Sequence, residues 1–188
     1  MLVLATAAVV AAAAWRGREP SAPQSSSAVG GAFQLVDQTG RRVDERILKG
    51  KWTAVFFGYT FCPDVCPTTL TTLGGAMDDL GAKARDVRVV FITVDPARDT
   101  PAQLRAYLAS PTFPKGVVGL TGSEAQIAAA ARAWRVYYKK VPDGATYSVD
   151  HTSIVYLMDP QGQFSRPLDV SVPPAGVARQ ISDAIDGA

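Results

Sequence analysis

Residues Thr53–Val94 read TAVFFGYTFCPDVCPTTLTTLGGAMDDLGAKARDVRVVFITV, and this stretch decides the fold class. Its two ends, Thr53–Tyr59 and Val87–Val94, are continuous apolar runs rich in β-branched and aromatic residues, as in strands covered on both faces. Between them, Thr68–Ala84 has the length and composition of a helix. Strand, helix and strand at this spacing predict a βαβ unit with parallel strands.

Upstream, Phe33–Val36 and Arg42–Val43 flank the turn residues Asp37-Gln38-Thr39-Gly40, which predicts a short hairpin. Downstream, Thr100 with Pro101 and Gln103 reads as a capping box opening a helix. Val117–Leu120 reads as a short strand. Ser123 and Gln126 form a second capping box, followed by Ile127, Ala130, Ala131 and Trp134 at helical spacing, which puts Trp134 in the core. Ser153–Met158 is a last apolar strand, with Gln163–Arg166 pairing back across Asp159-Pro160-Gln161-Gly162. Val177, Ile181 and Ile185 form one stripe of a terminal helix within Ser171–Ala188. The expected order is β-hairpin, βαβ, α, β, α, β-hairpin, α: a three-layer α/β domain.

The chain has 188 residues, enough for one domain with a substantial core. Nineteen basic against 17 acidic residues leave a formal charge of +2, too balanced for a nucleic-acid binder held by phosphate contacts. Two cysteines and one histidine exclude a disulfide scaffold, a four-ligand Cys/His zinc site and a Cys-ligated iron–sulfur cluster. Residues 1–15 are apolar apart from Thr6. This hydrophobic segment is shorter than the roughly 20 residues of a membrane span and reads as an anchor, a cleaved signal or a core helix. Arg16 and Arg18 just after it oppose export by the positive-inside rule. Residues 16–31, RGREPSAPQSSSAVGG, read as a flexible linker, leaving 32–188 as the folded domain.

Both cysteines fall in YTFCPDVCP (Tyr59–Pro67), between the first long strand and its helix, where ligands gather in open α/β sheets. Pro67 fits the first helical turn and Asp64 the N-cap, which puts Cys66 at the helix N-terminus, where a thiolate is favoured. Three readings stay open: inert core cysteines, a dithiol/disulfide redox couple, and a pair of soft metal ligands. The spacing C-x-x-x-C differs from the C-x-x-C of ordinary disulfide oxidoreductases. His151 stands in VDHTSIVYLMDP, at the mouth of the last apolar strand. Asp150 beside it diverges in extended chain and does not orient its ring. Two thiolates and one imidazole make a soft set suited to Cu(I); zinc, one ligand short, is the minor alternative.

The sequence resembles the Sco (SenC-type) family of copper chaperones for cytochrome c oxidase. The resemblance rests on GKWTAVFFGYTFCPDVCP (Gly50–Pro67), FITVDPARDTP (Phe91–Pro101), GLTGS (Gly119–Ser123), YYKKVP (Tyr137–Pro142) and VDHTSIVYLMDPQG (Val149–Gly162). It implies a thioredoxin-like α/β/α fold with an added N-terminal hairpin. It implies that the loop at Asp150-His151-Thr152 faces the cysteines, and that Cys62, Cys66 and His151 bind copper as Cu(I) and Cu(II). The implied partner is cytochrome c oxidase subunit II, whose copper-A site would receive the metal. Other copper chaperones and thiol–disulfide reductants are further partners. The implied place is the extracytoplasmic (periplasmic) face of the bacterial inner membrane, tethered through the N-terminus; the mitochondrial inner membrane is the alternative.

Two functions compete. One is a copper-binding assembly factor, a transfer module rather than a turnover enzyme. The other is a thiol–disulfide reductase using Cys62 and Cys66 as a redox-active pair. His151 discriminates them, since a dithiol reductase has no use for it. Arg135, Lys139 and Lys140 with Tyr137 and Tyr138 read either as a solvated helix end or as a docking surface for an acidic partner.

Overall fold

The computed structural model describes residues 29–187; the segment expected at 1–15, and the linker as far as residue 28, lie outside them. Among the described residues nine strands form two sheets: β1 (Gln34–Asp37), β2 (Arg42–Asp44), β3 (Trp52–Gly58), β4 (Val87–Thr93), β5 (Val118–Thr121), β6 (Tyr138–Asp143), β7 (Thr146–His151), β8 (Val155–Met158) and β9 (Phe164–Leu168). Four helices accompany them: α1 (Val65–Leu80), α2 (Pro101–Leu108), α3 (Glu124–Ala133) and α4 (Pro174–Asp186). The main sheet runs β2-β1-β5-β4-β3-β8-β9, while β6 and β7 pair only with each other. β3, β4 and β5 are parallel, and β8 returns antiparallel to β3.

Every residue of β3 is buried, as the unbroken apolar run requires. Phe56 and Phe57 point to opposite faces. Phe56 packs on Phe91, and Phe91 on Tyr107 of α2; α1 covers this same face and α4 packs on α1. Phe57 meets Trp134 at the end of α3 on the other face. The thioredoxin-like three-layer α/β/α arrangement is therefore present, with the β1–β2 hairpin extending one edge. Among the described residues, no helix is long and apolar enough to cross a membrane.

Several boundaries differ from expectation. α1 starts at Val65 rather than Thr68 and gives way to a 3-10 turn over Gly81–Asp86. β8 begins at Val155 rather than Ser153. The Ser123 capping box is complete. At Thr100 only half of one forms, because the Gln103 amide reaches Thr60 instead. The basic-aromatic stretch is not a helix end. Trp134 closes α3, and Arg135 adopts φ 57°. Val136 N–H then bonds to Ala131 C=O, and Arg135 N–H to Arg132 C=O. This double bond pattern ends the helix sharply and turns the chain into β6, which together with β7 forms a hairpin absent from the expected order.

Candidate metal centre

The two cysteines sit where β3 hands over to α1. Cys62 lies on the connecting loop, its N–H bonded to Tyr59 C=O. Asp64 takes the N-cap position, as expected, though its carboxylate accepts from the Thr68 hydroxyl rather than from a backbone N–H. Cys66 follows in the first turn, fully buried. Gly58 makes this possible: a Cβ there would lie 2.7 Å from Cys66 Sγ and 2.9 Å from the Phe91 ring. The missing side chain lets the helix start settle directly on the strand end.

Both cysteines are free thiols, and they differ sharply. Cys66 donates its S–H to Cys62, and this is the main reason the Cys62 pKa falls from an ordinary 9.0 to about 3, against the effect of burial. His151 and the backbone N–H groups of Cys66 and Asp64 lower it further. The Cys66 N–H points at Cys62 Sγ at 3.4 Å. Cys66 itself is driven far above the usual thiol range, first by its hydrogen bond to the Cys62 sulfur, which keeps the proton on Cys66, and then by burial. The expectation of a thiolate at Cys66 is thus reversed. The helix N-terminus turns its N–H toward Cys62, so Cys62 carries the charge.

His151 is the last residue of β7, 85 positions away in sequence, and its Nε2 lies 3.5 Å from Cys66 Sγ. The ring is wedged edge-on against Tyr59, with Phe56 beside it. Nδ1 lies 2.9 Å from the Thr152 carbonyl oxygen. That oxygen can only accept, so Nδ1 carries a proton, and Nε2 is the ring nitrogen that faces the sulfurs. Asp150 plays no part in this orientation, as the sequence implied. A backbone carbonyl sets it, and residue types do not reveal that.

Cys62 Sγ, Cys66 Sγ and the His151 nitrogen all lie within 4.8 Å of one another. Metal–sulfur bonds of about 2.3 Å allow donors up to about 4.6 Å apart, so one ion can bridge the set with small adjustment. No fourth Cys, His, Asp or Glu joins them among the described residues. Two thiolates and one imidazole fit a soft, low-coordinate ion. Phe61, Val65, Tyr137 and Ile154, the large apolar side chains left exposed among the described residues, all lie on the segments that carry the site or bond to them. Phe61 and Val65 adjoin the cysteines, Ile154 follows His151 by three, and Tyr137 bonds through its backbone to Thr152 in both directions.

The FITVDPARDTP segment supplies residues whose roles sequence reasoning missed. Asp95 and Asp99 are fully buried. Asp99 accepts from the Thr60 N–H, the Thr60 hydroxyl and the Thr93 hydroxyl, and so fixes the chain two residues before Cys62. Burial raises the Asp99 pKa despite those bonds. Asp95 pairs with Arg98 and accepts from the Tyr147 hydroxyl at 2.9 Å. Acidic residues directly after an apolar strand were the available signal.

The SCO1/SenC family model matches residues 21–186. The mitochondrial SCO1 homolog 1 of Arabidopsis thaliana is 44% identical over 147 residues, covering 77% of this chain and 43% of that protein. Yeast SCO1 matches over 47% of its length, so the chain spans about half the length of these curated relatives. Among solved structures, Bradyrhizobium japonicum ScoI with copper bound shares 45% identity and a TM-score of 0.77, covering 82% of this chain and 98% of that one. BsSco is described as having a disulfide switch and as a member of the Sco family of cytochrome c oxidase assembly proteins. It shares 27% identity and a TM-score of 0.68 over 86% of this chain and 95% of its own.

Proposed function

The chain belongs to the SCO1/SenC family, and from that premise we propose that it is a copper-binding assembly factor for cytochrome c oxidase. Cys62, Cys66 and His151 hold the ion and release it to the copper-A site of subunit II. The carrying observation is the placement of His151: the chain's one histidine is brought 3.5 Å from Cys66 Sγ, with its ring oriented by the Thr152 carbonyl. A dithiol reductase needs neither. The apolar rim of Phe61, Val65, Tyr137 and Ile154 supports docking of a protein partner over the ion. The exposed Arg135 and Lys139 beside it supply charge for an acidic face; Lys140 is already paired with Glu124. An N-terminal tether would hold the domain at the extracytoplasmic face of the membrane.

A second reading, reduction of the copper-A cysteines, is favoured by one feature. Cys62 is a half-exposed thiolate beside a buried partner thiol, the arrangement of an attacking and a resolving cysteine. The two activities are compatible, since a Cys62–Cys66 disulfide has no anionic sulfur for metal and loading requires the reduced pair.

Copper analysis of the reduced protein after desalting tests the first reading. One copper per chain is expected, with thiolate-to-metal charge-transfer bands for Cu(II), and none after oxidation to the disulfide. His151→Ala should abolish stable Cu(II) binding while Cu(I), content with two sulfurs, is retained more weakly. Full oxidase activity of this variant in cells at limiting copper would replace the metal reading with the reductase.

A further inference from the structure

His151 belongs to a sheet of two strands that hydrogen-bonds to no strand of the main sheet, whereas the cysteines belong to the core. Something has to hold the β6–β7 hairpin at the right distance from the sulfurs. We propose that Arg98 is a positioning residue for the metal centre, a tie that fastens the strand carrying His151 to the loop carrying Cys62. This deepens the copper reading and rests on it.

Arg98 touches three segments at once. Its guanidinium pairs with the fully buried Asp95, in the loop after β4. Its Nη1 donates to the Tyr147 carbonyl at 2.9 Å, and its Cζ lies over the Tyr147 ring, 3.8 Å from the ring centre. It also lies 4.8 Å from the centre of the Phe61 ring, next to Cys62. The Tyr147 hydroxyl closes the circuit by donating to Asp95. Tyr147 stands four residues before His151 on the same strand, so its side chain shares a face of β7 with that of His151. A planar cation with several donors can stack and bond in this way; a lysine cannot. The remaining charged link between hairpin and body among the described residues, Lys140 with Glu124, is exposed on both sides and holds little.

Two variants test the tie in the full chain. Arg98→Ala removes it but leaves Asp95 buried without its cation. Tyr147→Ala keeps the Arg98–Asp95 pair and removes the hydroxyl and the ring that Arg98 covers. In the metal-free reduced protein, both should shift the single histidine's Cε1-proton resonance and speed amide exchange in β6–β7, leaving β3 and β4 protected. With copper, both should lower Cu(II) affinity by about tenfold and move its charge-transfer bands, with little change for Cu(I). Combined with His151→Ala, neither should add a further loss, because the effect passes through the ring. An unmoved histidine resonance in the folded Tyr147→Ala protein, or additive losses with His151→Ala, overturns the tie. If wild-type protein takes up no copper, the copper reading fails by itself, and the metal-free resonance still decides the role of Arg98.

Discussion

The two halves of the centre come from regions built on different principles. The cysteines sit at the end of a strand with no exposed residue, under a helix pressed onto a glycine; the histidine ends a strand of which only Val149 is buried. The sulfurs are thus placed by close packing, which has few alternatives. The imidazole is placed by a few polar and stacking contacts, which tolerate movement at low cost. On the copper-transfer reading, a site that holds an ion and then gives it up benefits from one rigid side and one side that can yield.

The largest expected effect separates the sources of the Cys62 charge. The bond from Cys66 is the leading cause of the low Cys62 pKa, and His151 contributes less. Alkylation of Cys62 by iodoacetamide should therefore run at a nearly constant rate from pH 5 to 8. An ordinary thiol of pKa 9.0 would accelerate about tenfold per pH unit over that range. The sign follows from the shift: with the folded pKa depressed to about 3, the thiolate is present throughout and is lost only as pH falls toward 3. Cys66, buried and protonated, should stay unmodified. Cys66→Ala should move the Cys62 profile to higher pH by more than His151→Ala does. The opposite order, read by mass spectrometry of the adducts, would make the hairpin rather than the core the source of the charge.

Next come two glycines, one in each region. Gly58→Ala forces a methyl into Cys66 and Phe91 where neither can retreat; such overpacking costs about 1–3 kcal/mol or more and should disturb both sulfurs. Gly144, in the two-residue turn between β6 and β7, has φ 58°, and a methyl added there would meet nothing within 4 Å. Gly144→Ala should cost about 1 kcal/mol from left-handed strain alone. It should weaken Cu(II) binding without altering Cys62 alkylation. Urea midpoints at constant m-value compare the two. A larger loss at Gly144 would reverse the assignment of rigid and yielding sides.

This division also explains what the sequence disclosed. β3, β4 and the stripe of Val177 and Ile181 announce themselves because packing demands unbroken or periodic apolar residues, and the same runs located Cys62 and Cys66 at a strand end. The β6–β7 hairpin buries too little to impose a pattern. YKKVPD carries two lysines and a proline, the latter tolerated because β6 is an edge strand, and the stretch read as a helix end. Gly144, the first residue of its two-residue turn, was its one local signal. That Cys62, Cys66 and His151 would meet was legible from cysteine spacing and family resemblance. The Thr152 carbonyl was not, since every residue has one, nor was the Arg98 tie, which depends on aromatic rings far apart in sequence.

The smallest effect concerns the joint between the two regions. Arg135 is a non-glycine residue at φ 57°, in the position where helices most often use glycine to stop. Its side chain is exposed and makes no hydrogen bond or ion pair among the described residues. The left-handed conformation costs a residue with a side chain about 1–2 kcal/mol, while glycine loses about 0.5–1 kcal/mol more entropy on folding. Arg135→Gly should therefore stabilise the protein by roughly 0.5 kcal/mol, a small rise in urea midpoint. Metal binding should be unchanged, because the bonds to Arg132 and Ala131 that launch β6 are made by the backbone. A lowered midpoint would show that the Arg135 side chain contributes more than its conformation costs. Unchanged copper binding with slower delivery to an acidic partner would instead identify that strained residue as part of the docking face.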